Sequence, residues 1–158
     1  MSAFEQTAPN QVVLFTLDEP RYALPLSAVE RVVRAVEITP LPKAPEIVLG
    51  AIDAQGRVIP VVDVRKRFRL PAREMDVDDR FILARTSRRV VALVVDSVIG
   101  IRTLAAGEVV SAEELPFAEY IQGVAKTPDG LILIHDLDRF LSLDEEHMLD
   151  AALSGDSE

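Results

Sequence analysis

The chain has 158 residues, enough for one domain or two small lobes around a shared core, with no need of a metal or disulfide staple. It has no cysteine, which excludes disulfide frameworks, thiolate zinc sites and cysteine nucleophiles. A net charge of −9 opposes binding to phosphate backbones, and the 49% apolar content argues for an ordered globule rather than disorder. The longest apolar runs, such as 90–95, are too short to span a membrane, and the first residues lack a secretory signal pattern. The expectation is a soluble cytoplasmic protein without direct membrane insertion.

In chain order, apolar runs rich in Val, Ile and Leu fall at 12–17, 22–26, 58–64, 81–84, 90–95, 121–125 and 131–134. Turn-prone residues separate them: Asp18-Glu19-Pro20, Gln55-Gly56, Thr86-Ser87 and Pro128-Asp129-Gly130. Short β-rich runs punctuated in this way predict an all-β barrel or sandwich. Pro25 and Pro60 fall within or beside such runs, so their strands should bulge or lie at an edge there. Only Leu137 to Leu153 has helical spacing, with Asp144 as candidate cap of a helix beginning near Glu145.

A weak repeat relates Gly50–Phe68 to Gly123–Leu141 with a period of 73 residues, which also relates Asp63 to Asp136. Each half opens with a further hairpin, at 12–26 and 81–95. The expectation is two similar β lobes packed on each other. Charge is unevenly divided between them: residues 1–73 sum to +2 and residues 74–158 to −11. The basic run Arg65, Lys66, Arg67, Arg69 and Arg73 reads as a solvated face or as a contact for an acidic partner. Asp76, Asp78 and Asp79 lack the glycine and glutamate of a calcium loop and read as a polar linker.

Candidates for catalysis are few, and no cofactor or metal is expected. There is no nucleophile elbow, dinucleotide fingerprint or phosphate loop. His135 reads as a half-buried, hydrogen-bonded histidine and His147 as a solvated one. Asp136 is placed to cap the turn that follows it, and Asp63 and Arg65 to pair across theirs. Two other classes stay open: a small enzyme using His135, Asp136 and Asp138, and a nucleic-acid module using Arg65 to Arg73.

Four segments carry a more specific signal. They are FTLDEPRYALPLSAVERVV (15–33), GRVIPVVDVRKRF (56–68), VALVVDSVIGI (91–101) and YIQGVAKTPDGLILIHDLDRFL (120–141). Together they resemble the CheW family of chemotaxis coupling proteins over about residues 11–150. The resemblance implies two five-stranded SH3-like barrels packed around a shared core, with a short C-terminal helix. It implies a single domain, 11–150, made of lobes at about 11–73 and 80–143, with strand exchange between them left open and flexible termini at 1–10 and 154–158. The implied function is a non-enzymatic adaptor. It couples the cytoplasmic tip of methyl-accepting chemoreceptors to the regulatory domain of a CheA-type histidine kinase. The alternative is a scaffold for another chemosensory-like pathway, such as one controlling pilus motility. The implied receptor groove falls on Val29, Val32, Gly50 and Val98, with Arg31 where the family commonly has glutamate and Gln55 where it has arginine. No kinase contact can be assigned from the match.

Overall fold

The computed structural model describes residues 10–17, 21–110, 118–128 and 130–154. The first strands are β1 (Asn10–Thr16), β2 (Arg21–Pro25), β3 (Val29–Arg34), β4 (Val48–Ala54) and β5 (Arg57–Val62). The later strands are β6 (Arg80–Arg85), β7 (Val90–Val95), β8 (Ser97–Leu104), β9 (Val109–Val110), β10 (Ile121–Thr127) and β11 (Gly130–His135). Two helices follow β5 and β11: α1 (Val64–Arg67) and α2 (Leu143–Leu153).

One sheet has the order β3-β6-β7-β5-β4 and the other β8-β1-β2-β11-β10-β9. Apart from β9, the two orders match strand for strand. The repeat is therefore real, but each sheet takes its opening hairpin from the other half of the chain. The β1–β2 hairpin joins β8, β10 and β11, and the β6–β7 hairpin joins β3, β4 and β5. Strands from different repeats meet at two places in each sheet, as an antiparallel pair at the edge, β3 on β6 and β8 on β1, and as a parallel pair in the middle, β5 on β7 and β11 on β2. Sheet membership thus divides the chain into 29–95 against 10–25 plus 97–135. Similarity along the sequence suggested a different division, because similarity follows chain order and not pairing.

The equivalence extends to details. β4 and β10 share the same alternation of buried and exposed residues, and each shifts register at a glycine, Gly50 or Gly123. A Cβ on Gly50 would lie 2.3 Å from the Thr39 carbonyl oxygen, and one on Gly123 would lie 2.9 Å from Val109 Cγ1. Glycine is required at both places because another strand segment crosses directly over the backbone.

The core has three parts. Val12, Leu14, Ala23, Leu104, Ala125, Ile132 and Ile134 fill the six-stranded unit. Ile52, Ile59, Val61, Phe81, Leu83 and Ala92 fill the five-stranded unit. The third and largest lies between the sheets and takes Phe15, Tyr22, Val62, Phe68, Leu93, Ile121 and Phe140 among others. Pro25 and Pro60 fit as expected: each sits in a ladder with β1 or β4 but beyond the reach of the parallel partner, so its missing N–H is not needed.

Several local expectations are corrected. The apolar spacing at 137–153 is divided between a 3₁₀ turn over Leu137–Arg139, too short for a first helix, and α2, which starts at Leu143. Ser142, not Asp144, caps it; its hydroxyl accepts from Glu145 N at 3.1 Å while Glu145 accepts from Ser142 N at 2.8 Å. Asp136 makes no side-chain cap, whereas Asp63 caps α1 by accepting from Lys66 N at 3.1 Å. Asp63 does not pair with Arg65, which turns instead to Asp96. Asp79 is buried rather than part of a solvated linker, accepting from Arg73 and from Asp76 N. The expected flexible termini lie outside the described residues, except Asn10, which opens β1, and Ser154, which closes α2. The turn at 18–20 also lies outside them.

Val61 and Val62 are both fully buried but face different cores, the first inside the five-stranded unit and the second between the sheets. Truncating either to Ala leaves a cavity and costs about 1–3 kcal/mol. Urea titration of both variants checks this; an unchanged midpoint for either would show that its side chain is not packed as described.

Candidate functional site

The candidate groove residues are carried by β3, β4, the β4–β5 turn and β8. β3 is an edge strand of one sheet and β8 of the other. Val29 lies opposite Ala84 on β6, and Val98 lies opposite Phe15 on β1, a displacement of 69 positions in either strand. The two valines therefore occupy equivalent places, and both pack against the core between the sheets while staying partly accessible. Each is followed by a bulged residue, Glu30 in β3 and Ile99 in β8, where the register shifts.

Val32 pairs with Ile82, whose side chain belongs to the shared core, so Val32 faces the same side as Val29. It is 38% exposed, a free apolar surface beside the seam. Arg31 pairs with Leu83, on the opposite face of β3, and is exposed. Gln55 forms the two-residue turn to Arg57 with Gly56, both at positive φ (55° and 83°), and Asp53 Oδ1 accepts from Gly56 N at 3.0 Å. Gly50 is buried beneath Thr39 and offers no surface, so its geometry is that of a packing residue. Val29 and Val98 thus both pack on the core between the sheets, with Val32 exposed on the same face of β3, while Arg31 lies on the opposite face, Gln55 in the β4–β5 turn and Gly50 under Thr39.

Sequence reading missed what surrounds Arg31. Glu30 Oε1 accepts from Arg57 at 2.8 Å and Oε2 from Arg85 at 2.7 Å, drawing β3, β5 and β6 together. These arginines hold the Glu30 carboxyl below its ordinary range. No local pattern announces a contact between residues 27 and 55 positions apart.

The basic run is largely consumed internally. Arg65 donates to both Asp96 oxygens at 2.9 and 2.8 Å, and Arg67 to both Glu145 oxygens at 2.8 Å and to Tyr120 at 3.2 Å. Arg73 bridges Asp79 and Asp96. It is neither a solvated face nor a nucleic-acid stripe. Arg89 likewise ties α2 to the five-stranded sheet through Glu146 and Asp150.

The catalytic alternative fails on geometry. His135 is fully buried, not half-buried, and neither ring nitrogen has a hydrogen-bond partner. Phe15, Tyr22, Phe68 and Phe140 enclose it, with ring centroids 4.7–5.3 Å away. Asp138 instead accepts from Ser87 N at 2.6 Å, and Asp136 lies 3.5 Å from Arg139. His135, Asp136 and Asp138 do not converge. Two clefts of about 270 and 290 Å³ flank the arginine clamps; Arg67 and Glu145 in the first, and Arg65, Arg73 and Asp79 in the second, are engaged in those pairs. No group of three metal-ligating side chains occurs among the described residues.

Burial pushes the His135 pKa down to about 3. The unfolded chain binds the proton near pH 6.5, so the contribution of neutral His135 is complete above that pH. It is lost progressively as pH falls from about 6.5 toward 3, up to a total of about 4–5 kcal/mol. His135→Leu should flatten this part of the stability profile, since the carboxylates titrate alike in both proteins. Denaturant melts of both proteins between pH 7 and 4 test it; parallel profiles would show that His135 is not the group responsible.

The fold is a sheet-exchanged pair of β units, and comparison with known proteins gives its class. The model of the CheW-like domain matches residues 11–145, so the chain belongs to the CheW-like domain family. The chemotaxis protein CheW of Thermotoga maritima is 30% identical over 132 residues, covering 83% of this chain and 87% of its own. That of Klebsiella aerogenes is 24% identical over 92% of this chain and 89% of its own. Protein FrzA of Myxococcus xanthus is 28% identical over 66% of each chain. The crystal structure of the scaffolding protein TtCheW from Thermoanaerobacter tengcongensis superposes with a TM-score of 0.80 at 30% identity, covering 87% of this chain and 95% of that one. The two units are accordingly SH3-like lobes, and the protein is a CheW-like chemotaxis scaffold of a non-enzymatic family. No helix among the described residues is long and apolar enough to cross a membrane.

Proposed function

We propose that this protein is a cytoplasmic adaptor that couples the cytoplasmic tip of methyl-accepting chemoreceptors to the regulatory domain of a CheA-type histidine kinase. Residues 11–150 act as one domain in this reading, with 11–73 and 80–143 as sequence repeats rather than separable parts. The observation that carries it is the accessible apolar seam, where Val29 and Val98 stand at equivalent edges with Val32 exposed beside them. Such a seam matches one face of an amphipathic helical hairpin. Arg31 and Gln55 serve as its polar rim, and Gly50 shapes the strand beneath. Buried anchors set affinity, while rim charges set specificity and association rate.

The departures at Arg31 and Gln55 favour a second reading, in which the partner belongs to a divergent chemosensory-like pathway such as one for pilus motility. In either case the kinase-type regulatory domain engages a lobe end, and micromolar affinity is sufficient for a transient array contact. Calorimetric titration with regulatory domains from the source organism should show such binding. Silence at high micromolar concentration from every one of them would defeat the adaptor reading. At the seam, Val32→Glu should abolish receptor-tip binding, by placing an unpaired carboxylate against the partner helix, while leaving the thermal midpoint within about 2 °C, because Val32 is partly solvated in the free protein. Retained binding would remove Val32 from the interface.

A further inference from the structure

Helix α2 follows β11 of the six-stranded unit, yet among the described residues every ion pair its acids make is with the five-stranded unit. Glu145 accepts from Arg67, at the end of α1, through both oxygens at 2.8 Å. Glu146 accepts from Arg89 Nε at 3.2 Å, and Asp150 accepts from Nη2 of the same arginine, which lies in the turn before β7. Apolar packing gives this helix little hold. Leu149 and Ala152 are buried and Leu153 partly so, while Leu143 and Met148 stand 60% and 45% exposed. A helix of 11 residues is marginal without packing, so the docking of α2 and its hydrogen bonds go together.

Glu146 makes that docking conditional. It is buried, and among the described residues Arg89 is its one ionic partner. A carboxylate buried without its counter-charge is strongly disfavoured, whereas water satisfies it fully. The chain just before α2 is fixed: Phe140 and Leu141 are buried, and Asp138 accepts from Ser87 N at 2.6 Å. Movement of the helix therefore starts at Ser142. The capping box between Ser142 and Glu145 is internal to the segment and needs no contact with Arg67.

We propose that α2 is a charge-latched strap, hinged at Ser142, that opens and closes over the five-stranded unit while both sheets stay folded. Closed, it ties α1 and the β6–β7 turn to the segment that follows β11. Open, it hydrates Glu146, withdraws Leu149 from the core between the sheets and frees Arg67 and Arg89 of their partners on the helix. Arg89 is the latch, because without it the closed form holds an unpaired buried charge and the open form does not. The side chains of Arg89 and Glu146 are only 16% and 8% exposed, so salt screens their pair weakly and the latch answers to the loss of a partner. The motion belongs to the free protein and does not depend on what binds at the seam.

Native-state hydrogen exchange of the full-length protein, followed by NMR at rising urea below the unfolding transition, reads the strap directly. In the wild type the amides of residues 147–153 should be protected at least about tenfold less than those of Ile82, Leu93 and Ile134, with less than about half their urea dependence. Arg89→Met should lower protection in α2 by a further tenfold or so, and adding Glu146→Met should restore it to within about threefold of wild type, since the buried charge is then gone. The wild-type measurement needs no substitution, so it decides the question even if Arg89→Met does not fold. Equal protection and equal urea dependence for α2 and the strands would overturn the proposal, because the helix would then open only when the whole molecule unfolds. It is overturned equally if α2 in Arg89→Met stays within about twofold of wild type, or if Glu146→Met fails to restore protection in that background.

Discussion

Everything in this molecule depends on the exchange of hairpins between its two repeats. Neither repeat can close a sheet from its own strands, because the middle of each sheet is a parallel pair contributed by both halves. A parallel pair needs a long crossover, and here the crossover is the rest of the domain. The apolar residues left over after each unit fills its own interior face one another and form the shared core. Unfolding one half would strip a hairpin from the other, so the two β units are stable only together. The same exchange places β3 and β8 at equivalent free edges, and so creates the seam on which the proposed receptor site rests.

Electrostatics follows the same logic. The first 73 residues carry a net +2 and the remainder −11, an imbalance that would be odd for two independent lobes. In the folded chain the bases of the first part answer acids of the second: Arg65 with Asp96, Arg67 with Glu145, Arg73 with Asp79 and Asp96. These pairs are partly buried, and the bidentate ones make geometric demands that lysine could not meet. Glu145 also completes the capping box of α2, so one carboxylate both starts the helix and fastens it to α1. An isolated surface pair would contribute little, but here each joins elements distant in sequence. Once they are formed, Arg65, Arg67 and Arg73 are neutralised within the fold, while Lys66 and Arg69 of the same run stay exposed.

The alternating apolar runs made the β class, the repeat and most inner strands legible in the sequence. The strands outside those runs, β3, β4, β8 and β9, are all sheet edges; in β3 and β8 exposed or charged residues interrupt the apolar signal, and β9 has only two residues. Periodicity also held no hint of the exchange, because similarity along a chain reports equivalence and not pairing. His135 defeated a local rule: a polar ring beside an aspartate ordinarily finds a partner, but this one is enclosed by nearby Phe140 and by Phe15, Tyr22 and Phe68 from the distant first part of the chain. The assignment of Val29, Val32 and Val98 to a groove rests on family resemblance, since nothing in their sequence neighbours distinguishes them from core. Glu30 was not legible at all. Its meaning lies in two arginines that only the closed barrel brings to it.

The pseudo-symmetry that builds the seam is broken at its rim. Glu30, Arg31 and Val32 on β3 correspond to Ile99, Gly100 and Ile101 on β8. One edge is charged with a single valine showing, and the other presents two isoleucines at 54% and 61% exposure with no charge between them. A symmetric rim would hold an amphipathic helix equally well in either direction. Under the proposed groove, a helix that places carboxylates beside Arg31 must place its apolar side toward β8. The reversed orientation would leave Arg31 facing apolar surface and would set carboxylates on the isoleucines, desolvated and unpaired. In that proposal the scaffold's symmetry supplies the binding surface, and the departure from symmetry at three residue pairs supplies its direction.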